Sequence, residues 1–162
     1  MITFIIPTKN EESVLEKTLK NVASYSGEKE IIVSDGKSTD ATLEIARRYT
    51  NKVTVYEGAA RQTIAGGRNA GARLARGDIF VFMDADTHIP DPDNFFSKML
   101  VDFAGDPSLA VLTVKINVFP EMATWADKLV FGYMNIFHFM MNNVFGIGAA
   151  GGEFQMVRAT SY

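Results

Sequence analysis

An α/β fold, with a mostly parallel sheet covered by helices on both faces, is the architecture this sequence predicts, on three observations. Short, continuously apolar and β-branched runs alternate with amphipathic helical segments, the pattern of strands buried on both sides. Three of these runs are followed directly by polar clusters: Pro7-Thr8-Lys9-Asn10-Glu11-Glu12, Asp35-Gly36-Lys37-Ser38-Thr39-Asp40 and Asp84-Ala85-Asp86-Thr87. The 162 residues suffice for one well-cored domain rather than two.

Ile2 to Ile6 forms the first predicted strand, closed by Pro7, and Asn10 stands where it can cap a helix that presents Leu15, Leu19 and Val22 on one face. Glu30 to Ser34 is the second strand, and a helix from about Thr39 carries Ala41, Ile45 and Tyr49. Val53 to Val55 is a short third strand. Gly66 and Gly67 lead into a helix through Ala70 and Leu74 to Arg76, and the Gly77-Asp78 turn opens the most apolar strand, Ile79 to Met83. Asp91-Pro92 supplies the cap and first position of a helix running toward Gly105, after which Ala110 to Val118 reads as another strand. Trp125 to Phe145 is apolar, with Asn135, His138 and Asn142 recurring as a narrow polar stripe at helical spacing. Ligands of such sheets bind outside the carboxyl ends of the strands, so the three polar clusters are expected to line one crevice.

Composition narrows the function. A hydrophobic share of 47% with 22% charged residues argues against disorder. The 16 Lys+Arg against 19 Asp+Glu give a net charge of -3, so no basic field exists to hold a nucleic-acid backbone. The absence of cysteine excludes disulfides, thiolate ligands and a thiol nucleophile, and fits a cytoplasmic protein. The segment MITFIIPTKNEE lacks the basic region and cleavage site of a signal peptide. Gly146-x-Gly148-x-x-Gly151 spells the dinucleotide fingerprint, yet it follows a helical stretch and has no acidic residue about twenty positions on, and is rejected.

Asp84-Ala85-Asp86 is the sharpest chemical feature. Two carboxylates one residue apart at the end of a buried strand can both reach a hard divalent cation and its phosphate ligands. A solvated turn is the bland rival. Arg68 lies near a helix start, where exposed N–H groups and a fixed cation both favour pyrophosphate, and its rival is an ordinary surface arginine such as Arg73 or Arg76. Asp35-Gly36 is also ordinary turn chemistry.

Through Ile5-Ile6-Pro7-Thr8-Lys9-Asn10-Glu11-Glu12, Ser34-Asp35-Gly36-Lys37-Ser38-Thr39-Asp40, and Gly67-Arg68-Asn69-Ala70-Gly71-Ala72 running into Asp84-Ala85-Asp86, the sequence resembles glycosyltransferase family 2. The likeness is close from Met1 to about Ile89 and looser through Gly151-Gly152-Glu153-Phe154 to Tyr162. It implies the GT-A fold, a Rossmann-like mostly parallel sheet, in a single nucleotide-sugar-binding domain over 1–162. It implies an inverting, divalent-metal-dependent transfer of a sugar from a UDP- or GDP-linked donor. Carried over position by position, Pro7, Thr8 and Glu12 contact base and ribose, with helix capping the rival for Glu12; Asp35 accepts from the nucleobase. Arg68 faces pyrophosphate, Asp84 and Ala85 contact the nucleotide-sugar, and Asp84 and Asp86 serve the metal.

The resemblance also implies a catalytic aspartate in an acidic pair downstream of the Gly-Gly segment, and no position up to Tyr162 matches it. Glu153 falls in a part of the motif that lines the donor and acceptor pocket and is not taken as the base. The base is therefore expected beyond Tyr162, in a chain incomplete at its C-terminus. A non-catalytic sugar-nucleotide-binding module, or the donor half of a longer or split enzyme, is the alternative. The acceptor is left open between lipid-linked and polysaccharide classes, and residues 125–145 read either as core or as a face for peripheral contact at the cytoplasmic side of a membrane. A nucleotidyltransferase ranks last, because Pro7-Thr8-Lys9-Asn10 lacks the glycine-rich loop it needs.

Overall fold

The computed structural model describes residues 1–118, 123–147, 149 and 151–162. Its elements are β1 (Ile2–Thr8), α1 (Leu15–Ala23), β2 (Lys29–Asp35), α2 (Thr42–Tyr49), β3 (Val53–Val55), α3 (Ile64–Ala72), β4 (Ile79–Met83), α4 (Pro92–Gly105), β5 (Val111–Leu112), α5 (Trp125–Asn143) and β6 (Phe154–Arg158). The strands form one sheet in the order β3-β2-β1-β4-β6-β5. β1 to β4 pair in parallel, and β6 runs antiparallel to both β4 and β5.

Both faces are covered, as expected, and the alternation of each strand decides which residue meets which layer. On one face Ile2, Phe4 and Ile6 of β1 join Ile31 and Val33 of β2 and Val81 and Met83 of β4 against Leu15, Leu19 and Val22 of α1, Ile45 of α2, and Phe96 and Phe103 of α4. On the other, Ile5, Phe80, Phe82 and Val157 pack with Ala72 at the end of α3. Helix α3 rides unusually close to the sheet because two glycines face it. A Cβ on Gly71 would stand 2.5 Å from Ile5 Cγ2, and one on Gly67 would stand 3.2 Å from Pro7 Cβ. The start of α3 is thereby held over the ends of β1 and β2.

Several boundaries differ from expectation, each for a local reason. β1 continues through Pro7 to Thr8: its ladder with β4 stops at Ile5–Phe82 while that with β2 runs on to Thr8–Asp35, so Pro7 sits where the strand has a neighbour on one side only. Asn10 is not a helix cap. α1 starts at Leu15 after Val14 with no side-chain cap, while Asn10 takes a left-handed φ of 57° and is drawn into the loop after β2. α3 opens at Ile64, where Thr63 Oγ1 accepts from Gly66 N at 3.0 Å, and stops at Ala72 short of Arg76. The expected strand over Ala110 to Val118 shrinks to Val111–Leu112, because the Ile116 backbone is taken by a side chain: its N–H donates to Asn135 Oδ1 and its carbonyl accepts from Asn135 Nδ2. Strand β6 was not expected. The cap at Asp91 with Pro92 following forms as read, with the Asp91 carboxylate accepting from Asn94 N. Gly148 of the rejected fingerprint lies outside the described residues.

Helix α5 begins with a capping box in which Thr124 and Asp127 bond reciprocally, yet none of its residues is buried. Its polar stripe fastens flanking chain: Asn135 holds Ile116, and Asn142 donates to Ala149 O and accepts from Ala149 N, both at 2.7 Å. Among the described residues no helix is long and apolar enough to cross a membrane.

Candidate functional site

Two loops are zipped together at the carboxyl end of the sheet. Gly36 N donates to Thr8 O at 2.8 Å, Asn10 N to Ser38 Oγ at 2.9 Å, and Thr39 N to Asn10 Oδ1 at 2.8 Å. Glu11 N donates to Thr42 Oγ1, and the Lys9 ammonium to the Lys37 carbonyl. A third loop, Asp84 to Ile89, is held from both sides. Thr18 Oγ1 of α1 donates to Ala85 O at 2.6 Å, the Asn21 amide bonds both the N–H and the carbonyl of Ile89, and Asp84 N donates to Glu153 O at the start of β6. The positions of Asp84 and Asp86 are therefore set by backbone anchors.

Between these loops and the start of α3 lies a cleft of about 290 Å³, lined by Pro7, Thr8, Lys9, Glu11, Gly36, Arg61, Gln62, Thr63, Ile64, Gly67, Asp84, Ala85 and Asp86. The ends of β1, β2 and β4 thus converge on one crevice, as the strand pattern implies. Pro7, Thr8, Asp84, Ala85 and Asp86, all singled out in the sequence, line it. Lys9, Glu11 and the run from Arg61 to Ile64 were not singled out. For Glu11 the available signal was its place in the first polar cluster; the run before α3 carries none.

Three sequence-predicted residues, Asp35, Glu12 and Arg68, are not among those that line the cleft. Asp35 is fully buried: Oδ1 accepts from Thr8 Oγ1 at 3.1 Å and from Ser38 Oγ at 2.5 Å, and Oδ2 from Ser38 N at 2.8 Å. Glu12 caps the approach to α2, its Oε2 accepting from Ala41 N at 2.9 Å. Arg68 Nη2 donates to Asp84 Oδ1 at 2.9 Å and to the Gly152 carbonyl.

The carboxylates strain against one another. Burial raises the Asp84 pKa; the Arg68 guanidinium opposes that rise, and Asp86 and Glu153 add to it. Burial also raises Glu11, with Asp86, Asp40 and Asp84 contributing. Like charges gathered under partial burial are the environment a hard cation relieves. Among the described residues no three His, Asp or Glu side chains converge to hold a metal on their own. The set fits an ion that takes one or two carboxylates and completes its shell with phosphate oxygens and water, the usual habit of Mg²⁺.

Fold and site together define a Rossmann-like α/β domain with an acidic cleft at its strand ends. Comparison with known proteins makes the class specific: the model of Glycosyl transferase family 2 matches residues 3–156, and the chain belongs to that family. It is 32% identical over 119 residues, 69% of this chain and 26% of the relative, to a validoxylamine A glucosyltransferase of Streptomyces hygroscopicus subsp. limoneus. It is 39% identical over 92 residues, 54% of this chain and 24% of the relative, to a 4,4'-diaponeurosporenoate glycosyltransferase of Staphylococcus haemolyticus. The chain thus spans about a quarter of the length of these curated relatives. Among solved structures it is similar to the mannosyltransferase PcManGT of Pyrobaculum calidifontis in complex with GDP-Man and Mn²⁺, with a TM-score of 0.70 at 24% identity over 97% of this chain and 44% of that one. It is also similar to S. aureus TarS in complex with UDP-GlcNAc, with a TM-score of 0.60 at 26% identity over 76% of this chain and 36% of that one. The GT-A fold expected from the motifs is the fold of these neighbours.

Proposed function

We propose that this chain binds a nucleoside-diphosphate sugar, UDP- or GDP-linked, together with a divalent cation, as the donor domain of an inverting glycosyltransferase. The observation that carries the reading is the convergence of three strand ends on one cleft, with Asp84 and Asp86 across from Pro7, Thr8 and Gly36. The UDP-GlcNAc bound by TarS supports the donor class.

In this reading Pro7, Thr8 and Ala85 shape the nucleotide pocket. Asp35 acts by orienting Thr8, Glu12 by fixing the loop before α2, and Asp84 and Asp86 present carboxylate oxygens to Mn²⁺ or Mg²⁺. Bound there, the cation supplies Lewis-acid neutralisation of the charge that grows on the departing diphosphate. An acceptor hydroxyl forms the new C–O bond at the anomeric carbon as the bond to the diphosphate breaks, and its proton passes to a base that we assign to no residue of this chain. The apolar outer side of α5, next to the Gly151–Glu153 turn, is the proposed acceptor side. It suits a lipid-linked or polysaccharide acceptor met peripherally at the cytoplasmic face of a membrane.

Calorimetry with UDP- and GDP-linked sugars, with and without Mn²⁺, tests the reading. Metal-dependent binding of at least one donor is expected, and no metal-dependent binding of any would overturn it. A transfer assay on the same protein separates a working enzyme from a sugar-nucleotide-binding module, which binds donor and never turns it over.

A further inference from the structure

The pairing of Arg68 has a consequence for how the acidic cleft takes its cation. Arg68 projects from the second turn of α3 and is not among the residues that line the cleft. Its side chain is only 14% exposed, against 35% for Asp84, and its Nε is buried with no hydrogen-bond partner among the described residues. The fork bridges two elements, donating through Nη2 to Asp84 Oδ1 at the end of β4 and to the carbonyl of Gly152 just before β6.

The charges around Asp84 explain why a cation is stationed there. Asp86, Glu11 and Glu153 are all near enough to act on the acidic cluster, and an unpaired, half-buried carboxylate among them is costly. A planar guanidinium with little hydration is the cation best suited to an enclosed position. Lys9 and Arg61 line the cleft itself, unlike Arg68; the Lys9 ammonium is committed to the Lys37 carbonyl, and neither is ion-paired to Asp84.

We propose that Arg68 is the resident counter-cation of Asp84, holding that carboxylate until a divalent cation competes for it, so that Arg68 governs metal affinity through Asp84 and not by touching the diphosphate. The inference rests on the functional reading above. It makes Arg68 a positioning residue whose removal has a sign that a phosphate-binding or purely structural arginine does not share. Deleting its charge removes the one cation ion-paired to Asp84 among the described residues, leaving the negative charge of Asp84, Asp86, Glu11 and Glu153 less opposed, so a free divalent ion binds more tightly, not less.

The test is Mn²⁺ titration followed by the electron paramagnetic resonance of the free ion, on the wild-type chain, Arg68→Gln and Arg68→Lys, first with Mn²⁺ alone and then with UDP or GDP present. Arg68→Gln should bind Mn²⁺ alone about fivefold to tenfold more tightly than wild type. Arg68→Lys, which keeps the charge, should stay within about twofold of wild type. Unchanged or weaker Mn²⁺ binding by Arg68→Gln overturns the inference while leaving the functional reading in place. Absence of Mn²⁺ binding by the wild-type chain, with and without a nucleoside diphosphate, overturns both. Should Arg68→Gln melt too low to titrate, the unaltered protein decides the matter: saturating Mg²⁺ should shift the Arg68 Nη signals in the nitrogen spectrum, and their failure to move contradicts the exchange.

Discussion

The strand ends and helix α5 are both rich in the residues that define them, carboxylates in one case and large apolar side chains in the other, but only the first is anchored on every side. Each cleft loop is tied through its backbone to a neighbour: Gly36 N to Thr8 O, Asp84 N to Glu153 O, and the Ala85 carbonyl to the Thr18 hydroxyl. In α5, Trp125, Tyr133, Ile136 and Phe139 are exposed, no residue is buried, and two asparagine side chains supply the polar attachment to residues 116 and 149. Burial on two faces, and not hydrophobicity as such, makes a rigid scaffold for chemistry. A helix that is apolar almost all round and covered on one side offers a surface instead.

This contrast can be broken most sharply at Asp86. Asp86→Ala should weaken metal-dependent binding of a nucleoside diphosphate by at least about 100-fold, as expected when a direct ligand and not merely its support is lost. Calorimetry with and without Mn²⁺ reads the loss, and the melting temperature should hardly move.

A second strike falls on the scaffold beneath the cleft. Gly71→Ala places a Cβ 2.5 Å from Ile5 Cγ2, against the middle of a central strand. Such overpacking should cost about 1–3 kcal/mol, seen as a lower urea midpoint at unchanged slope. Asn135→Ala attacks the other region. It leaves both backbone groups of Ile116 without their side-chain partner, a loss of about 1 kcal/mol that should stay local. Hydrogen exchange should quicken in α5 and residues 113–117 and remain unchanged in β1 and β4.

The smallest expected effect is on pH dependence. Asp84 and Glu11 have pKa values raised above their ordinary ones, mainly by burial, so the folded chain holds these protons more tightly than the unfolded chain. Their penalty is absent below the ordinary carboxylate range and complete above the raised folded values. Stability should therefore fall as pH rises through that window. A pH series of urea midpoints should show a shallower fall for Asp84→Asn than for the wild-type chain.

The sequence was most legible where a residue's neighbours in the chain are also its neighbours in space. Val53–Val55 and Ile79–Met83 begin and end where the apolar runs do, and Asp91 caps α4 as its chemistry demands. Legibility failed where a distant segment intervened. Asn10 has the side chain of a cap, but the loop after β2 captures it. Residues 113–118 have the composition of a strand, but Asn135 takes the Ile116 backbone. Strand β6 hides because Gln155 and Arg158 interrupt its apolar residues, and Arg158 is spent on the carbonyls of Phe103, Asp106 and Leu109 near the end of α4. In the cleft the acidic wall was readable from Asp84-Ala85-Asp86. The wall built by residues 61–64 was not, because it depends on how close the glycines let α3 approach.

The central claim is that Asp84 and Asp86 bring a divalent cation and a nucleotide to the ends of β1, β2 and β4. Paramagnetic broadening of backbone amide signals by substoichiometric Mn²⁺ in the presence of UDP or GDP tests it most directly. Broadening is expected at Thr8, Gly36 and Asp84 to Asp86, with residues 125–140 of α5 spared. Broadening centred on Asp40 and Glu12, or no nucleotide-dependent broadening anywhere, would contradict it.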